Sequence, residues 1–123
     1  MSGNHFLIDT NIALYLLGGD KDLAEIIQGS KLYVSFITQL ELLGYQGISI
    51  KEQKHVSAFL EDVIIVDINQ EIKKAAIRIR QKHSVKLPDA IIAATSQFLD
   101  VPLFTADLGF RKINSLNLVL FTK

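Results

Sequence analysis

The feature that most constrains this chain is a series of short, largely apolar runs, each set off by a segment of helical periodicity or by turn residues. Phe6 to Ile8, Leu32 to Ile37, Val63 to Val66, Leu103 to Thr105 and Asn117 to Phe121 are short and rich in aromatic and β-branched residues, which suits strands. A strand with one wet face alternates apolar with polar residues; these runs are apolar almost throughout, so they read as strands covered on both faces. The intervening segments read as helices. Ile12, Leu16 and Leu17 have helical spacing up to Gly18-Gly19, and Asp22 to Gln28 stops at Gly29. Thr38 with Glu41, and Ser49 with Glu52, each fit a capping box, the second opening a helix through about Glu61. In Gln70 to Lys82 the residues Ile72, Ala75, Ala76 and Ile79 follow the i, i+3, i+4, i+7 rule, and Pro88 suits a first helical position before the apolar helix Ala90 to Leu99. A short helical turn is expected between the last two strands. Alternating strands and helices give an α/β protein with a parallel sheet between helical layers.

No linker, repeat or low-complexity tract divides residues 1–123, so a single domain is expected, and 49 % apolar with 21 % charged residues is ordinary for a globular protein. The absence of cysteine excludes disulfide scaffolds, thiolate metal sites and cysteine nucleophiles. No apolar run approaches the roughly 20 residues of a membrane span, and Met-Ser-Gly-Asn-His is not the start of a signal peptide, so a cytoplasmic protein is expected. His5, His55 and His83 lack the spacing of a metal triad, and no glycine-rich phosphate loop follows a strand.

In a parallel sheet ligands bind at the carboxyl ends of the strands. Asp9, Glu41, Asp67, Asp89 and Asp107 lie at strand ends or helix starts. Singly, each has an ordinary role as a cap or turn residue. Jointly, several carboxylates at one sheet edge repel one another unless a counterion is present, and hard cations such as Mg²⁺ and Mn²⁺ prefer all-oxygen surroundings.

Phe-Leu-Ile-Asp9-Thr10-Asn11, Thr38-x-x-Glu41-Leu42, Leu87-Pro88-Asp89-Ala90-Ile91-Ile92-Ala93-Ala94-Thr95 and Leu103-Phe104-Thr105-Ala106-Asp107-x-x-Phe110 resemble, in order, the successive motifs of the PIN-domain family, particularly its small bacterial toxin ribonucleases of the VapC type. The resemblance runs from residue 6 to about 121. It implies a three-layer α/β/α sandwich around a mostly parallel sheet of four to five strands. It also implies an endoribonuclease that depends on Mg²⁺ or Mn²⁺, acting as the toxin of a type II toxin–antitoxin pair. Mapped onto the motifs, the catalytic group is Asp9, Glu41, Asp89 and Asp107 with the Thr105 hydroxyl, the four acids being the metal ligands. Asn11, within the first motif, is expected to steady the site and contact substrate; Lys86 is a substrate-contact candidate from its position just before Pro88-Asp89, at the edge of the acidic site. The family pattern has no acid at Asp67, which is left as a turn residue. A small antitoxin that sets a basic side chain among the carboxylates is the implied protein partner.

The formal charge is zero, with 13 basic and 13 acidic residues, yet Glu71 to Lys86 holds Lys73, Lys74, Arg78, Arg80, Lys82 and Lys86 against one acid. That +5 stretch, balanced by −5 elsewhere, is a candidate RNA-binding face. The apolar helix faces around Ile12 to Leu17 and Ala24 to Ile27 are candidates for an antitoxin groove or a homodimer interface. Two other readings compete: a catalytically silent PIN-like binding module, and a phosphoacceptor signalling domain, which would need paired acids after the first strand where this chain has Asp9 alone.

Overall fold

The computed structural model describes residues 4–122; Met1, Ser2, Gly3 and Lys123, including the start on which no signal peptide is expected, lie outside them. Five strands, β1 (His5–Ile8), β2 (Lys31–Ser35), β3 (Ile64–Val66), β4 (Leu103–Thr105) and β5 (Leu118–Leu120), form one sheet in the order β3-β2-β1-β4-β5. Every pairing is parallel. The helices are α1 (Thr10–Leu17), α2 (Lys21–Ile27), α3 (Phe36–Leu43), α4 (Ile50–Glu61), α5 (Gln70–Lys82) and α6 (Leu87–Leu99), with a 3₁₀ turn at Leu108–Lys112.

Central strand β1 feeds both sides of the sheet by simple alternation. Leu7 joins Ile72, Ile79, Ile91 and Leu103 beneath α5 and α6, whereas Phe6 and Ile8 join Ile12, Leu23, Val34, Leu42 and Phe104 beneath α1 to α4. Full burial of one such side chain contributes about 1.5–3 kcal/mol, so two filled layers lock the register of β1 and, with it, the position of the residue that follows. Helix α6 is buried at every position from Ala90 to Ser96. It ends at Asp100, whose φ of +55° is left-handed.

The expected end of β2 is wrong. Helix α3 begins at Phe36, capped by the Ser35 hydroxyl accepting from Ile37 N–H, so Phe36 and Ile37 are its first turn rather than the end of β2. The Thr38–Glu41 capping box therefore does not exist; Thr38 lies inside the helix, fully buried. The cause is burial: two apolar residues after a hydroxyl residue pack equally well as strand or as helix start. The Ser49–Glu52 box is present in both directions. Helix α6 starts one residue before Pro88, making the proline its second position.

Candidate active site at the sheet edge

The strand order reverses direction at β1: β2 and β3 lie on one side, β4 and β5 on the other. Chains leaving β1 and β4 diverge there and open a crevice at the carboxyl ends, the usual ligand position in such sheets. Asp9 follows β1 and caps α1, its Oδ1 accepting from Ile12 N–H at 2.9 Å. Thr105, the last residue of β4, donates its hydroxyl to Asp9 Oδ2 and accepts from Asp107 N–H at 3.0 Å. Asp107 caps the 3₁₀ turn, with Oδ1 accepting from Gly109 N–H at 2.8 Å. A Cβ at position 109 would stand 3.0 Å from that oxygen, so glycine permits the close approach.

Asp89 sits in the first turn of α6, half-buried, in a part of the helix where the dipole favours negative charge. Glu41 is exposed on α3 and accepts from the Thr10 hydroxyl at 2.6 Å. Electrostatics ties the acids together. Burial pushes the Asp9 carboxyl above the ordinary carboxylate range; the Thr105 and Ile12 hydrogen bonds oppose this, and the Asp107 and Asp89 charges add to it. Burial also raises Asp89, with Asp107 adding, Lys86 opposing and Glu41 adding. The structure thus brings Asp9, Asp89, Asp107, Glu41, Thr105 and Lys86 into one neighbourhood. Asp67 stands outside it, exposed and bonded through Oδ1 to Ile68 N–H, a turn residue as expected. Asn11 is exposed in the first turn of α1, beside Asp9 in the chain.

The donor chemistry fits a hard divalent cation: the four acids and the Thr105 hydroxyl offer only oxygen, and Lys86 is the cation acting on Asp89. Each Asp9 oxygen accepts one hydrogen bond and keeps further lone-pair capacity. Among the described residues no three acids or histidines enclose a cation by themselves.

A cleft of about 230 Å³ beside Asp89 and Asp107 is lined also by Lys86, Phe110 and Lys112. On α5 the cations Lys73, Lys74, Arg78, Arg80 and Lys82 are all exposed, opposite buried Ile72, Ala75, Ala76 and Ile79, as the periodicity predicts. Sequence reasoning did not anticipate a larger groove between α5 and α6, about 550 Å³, where Lys73 and Arg80 flank Ile77, Leu87 and Ile91. The apolar α1 and α2 faces divide: Ile12, Leu23 and Ile27 are core, while Leu14 and Ile26 are exposed. No helix among the described residues is long and apolar enough to cross a membrane.

Fold and site together define an α/β protein with an acid-lined crevice at its switch point. A family model for the PIN domain matches residues 6–116, and the chain belongs to the PIN-domain family, whose members are in general nucleases. Its structural neighbours include toxin–antitoxin complexes of the VapBC kind. A toxin–antitoxin complex from Klebsiella pneumoniae is 29 % identical, with a TM-score of 0.78 over 92 % of this chain and 94 % of that one. VapBC-1 from nontypeable Haemophilus influenzae is 25 % identical, with a TM-score of 0.83 over 97 % and 99 %. VapBC2 from Rickettsia felis, bound to a promoter DNA fragment, shares the fold at 19 % identity, with a TM-score of 0.82 over 96 % and 99 %. No curated protein matches in sequence.

Proposed function

We propose that this chain is an endoribonuclease dependent on Mg²⁺ or Mn²⁺, hydrolysing RNA phosphodiester bonds as the cytoplasmic toxin of a type II toxin–antitoxin pair, with residues 1–123 working as one domain. The observation that carries the reading is the convergence of Asp9, Asp107 and the Thr105 hydroxyl at the switch point, with Asp89 beside them, joined to the PIN-domain match over residues 6–116.

Asp9, Asp89, Asp107 and Glu41 would hold the divalent ion, which when bound activates water and stabilises charge on the phosphate. The protein's own part is positional. Thr105 holds Asp9 through Oδ2, and Ile12 N–H holds it through Oδ1, so this carboxylate is fixed before any ligand arrives. Lys86, exposed and attracted to the Asp89 charge, is placed to draw a phosphate toward the acids, with Asn11 as a second polar contact. The cations of α5 extend that attraction along the RNA. Exposed Leu14 and Ile26 offer apolar surface to an antitoxin, and a homodimer is the expected assembly of the toxin itself.

The test is cleavage of single-stranded and structured RNA with Mg²⁺ or Mn²⁺ by the wild type, Asp9→Asn and Asp89→Asn. Cleavage by the wild type and its loss in both variants supports the reading. Equal cleavage by all three overturns it, and metal-dependent RNA binding without cleavage by the wild type would make the chain a silent binding module.

A further inference from the structure

Two threonines outside the acidic set make contacts that ordinary packing does not require. Thr10 Oγ1 donates to Glu41 Oε1 at 2.6 Å, and lies 3.0 Å from Thr38 Oγ1. A hydroxyl has one proton and two acceptor positions. Thr10 gives its proton to Glu41, so at the second contact it can only accept, and Thr38 must be the donor. The polarity is therefore set along the whole chain: Thr38 to Thr10 to Glu41.

Thr95 provides a contrast within the molecule. Also buried in a helix, it donates to Ile91 O one turn back, the usual outlet for a helical threonine. Thr38 instead directs its hydroxyl out of α3 to α1, across 28 residues of sequence. It is fully buried, and no buried side-chain polar atom among the described residues lacks a partner. Glu41, by contrast, is exposed, and an exposed glutamate samples several rotamers unless something holds it. The hydroxyl pair ties it to the first residue of α1, immediately after Asp9.

We infer that Thr10 and Thr38 are positioning residues: a one-way hydroxyl relay, anchored in the core, that binds Oε1 of Glu41 and leaves Oε2 as the oxygen available to the reaction. The inference rests on the nuclease reading for its catalytic consequence and on geometry for the relay itself.

Thr10→Val and Thr38→Val keep shape and remove the hydroxyls; Thr10→Ser restores the donor. In Mn²⁺-dependent cleavage of an RNA oligonucleotide, Thr10→Val should lower kcat about 10- to 100-fold with KM nearly unchanged. Thr10→Ser should recover most of that loss. Thr38→Val should cause a smaller loss that vanishes in the Thr10→Val background, because its effect passes through Thr10. Wild-type kcat in Thr10→Val, no recovery in Thr10→Ser, or independent losses in the double variant would overturn the relay. A wild type that cleaves no RNA would instead sink the nuclease reading, and the relay is then decided by proton NMR of the full chain. A protected Thr38 hydroxyl proton, present in the wild type and in Thr10→Ser and lost in Thr10→Val, supports it; a freely exchanging one in the wild type rejects it.

Discussion

Asp9 and Asp107 follow neighbouring parallel strands, yet their surroundings are opposite. Asp9 is 4 % exposed, with both oxygens hydrogen-bonded, whereas Asp107 is exposed and commits one oxygen to the Gly109 N–H. Burying a carboxylate is unfavourable, and the fold accepts that at Asp9 while leaving Asp107 open to water. The difference separates a rigid carboxylate from an adjustable one. A buried carboxylate holds geometry at the expense of stability; a solvated one can move, which on the proposed nuclease reading would let it follow a changing phosphate.

The largest test of this contrast compares Asp9→Asn with Asp107→Asn in RNA cleavage. Asparagine still caps α1, so the loss at Asp9 would report the charge rather than the helix, and it should exceed about 100-fold, above what partners outside the ligand set commonly cost. Asp107→Asn should lose less, and equal losses would erase the distinction. Next comes Thr105→Val, which removes the donor to Asp9 and the acceptor of Asp107 N–H together. A loss of about 10- to 100-fold is expected, with about 1–3 kcal/mol of stability lost through the buried groups left unpaired. A variant with wild-type rate would show that Asp9 does not need its hydroxyl partner.

A third test is thermodynamic. Burial raises the Asp9 and Asp89 carboxyls above their unfolded value of about 3.9, so their protonated forms favour the folded state. That contribution is complete below the unfolded pKa and is lost as pH rises through the folded values. In a chelator, Asp9→Asn should therefore melt a few degrees above the wild type at pH 7, and the gap should shrink toward pH 4. Adding Mn²⁺ should raise the wild-type melting temperature and leave Asp9→Asn nearly unmoved. A gap independent of pH would detach the effect from ionisation. The smallest expected effect lies outside the pair: removing Lys74 and Arg78 should flatten the salt dependence of single-stranded RNA binding by about 0.7 in log–log slope for each phosphate no longer neutralised. An unchanged slope would take the α5 face out of the interface.

The parallel sheet was legible because its strands are apolar almost throughout, although only β1 and β4 are buried on both faces while edge strands β3 and β5 leave Ile64 and Leu120 exposed. The acids Asp9 and Asp107 were legible because each interrupts an apolar run where a chain must turn. Asp89 was less accessible: it follows no strand, and only the motif around Pro88 pointed to it. Ser35 and Thr38 show where local reading fails. Both can cap a helix, and only the packing of Phe36 and Ile37 decides that Ser35 does so. Thr38 then becomes a buried donor to Thr10, a bond between elements that no local spacing reveals. The groove between α5 and α6 escaped for the same reason, being a property of how two helices meet.

The Asp9–Thr105 bond joins residues 96 positions apart. While β1, β2 and β3 can pair once residue 66 has been made, the partner of Asp9 arrives only with β4. At about 5–20 residues per second, 96 residues correspond to about 5 to 20 seconds of synthesis. For that interval a growing chain has its first carboxylate without the hydroxyl that holds it, and the finished site is among the last parts of the molecule to come into being.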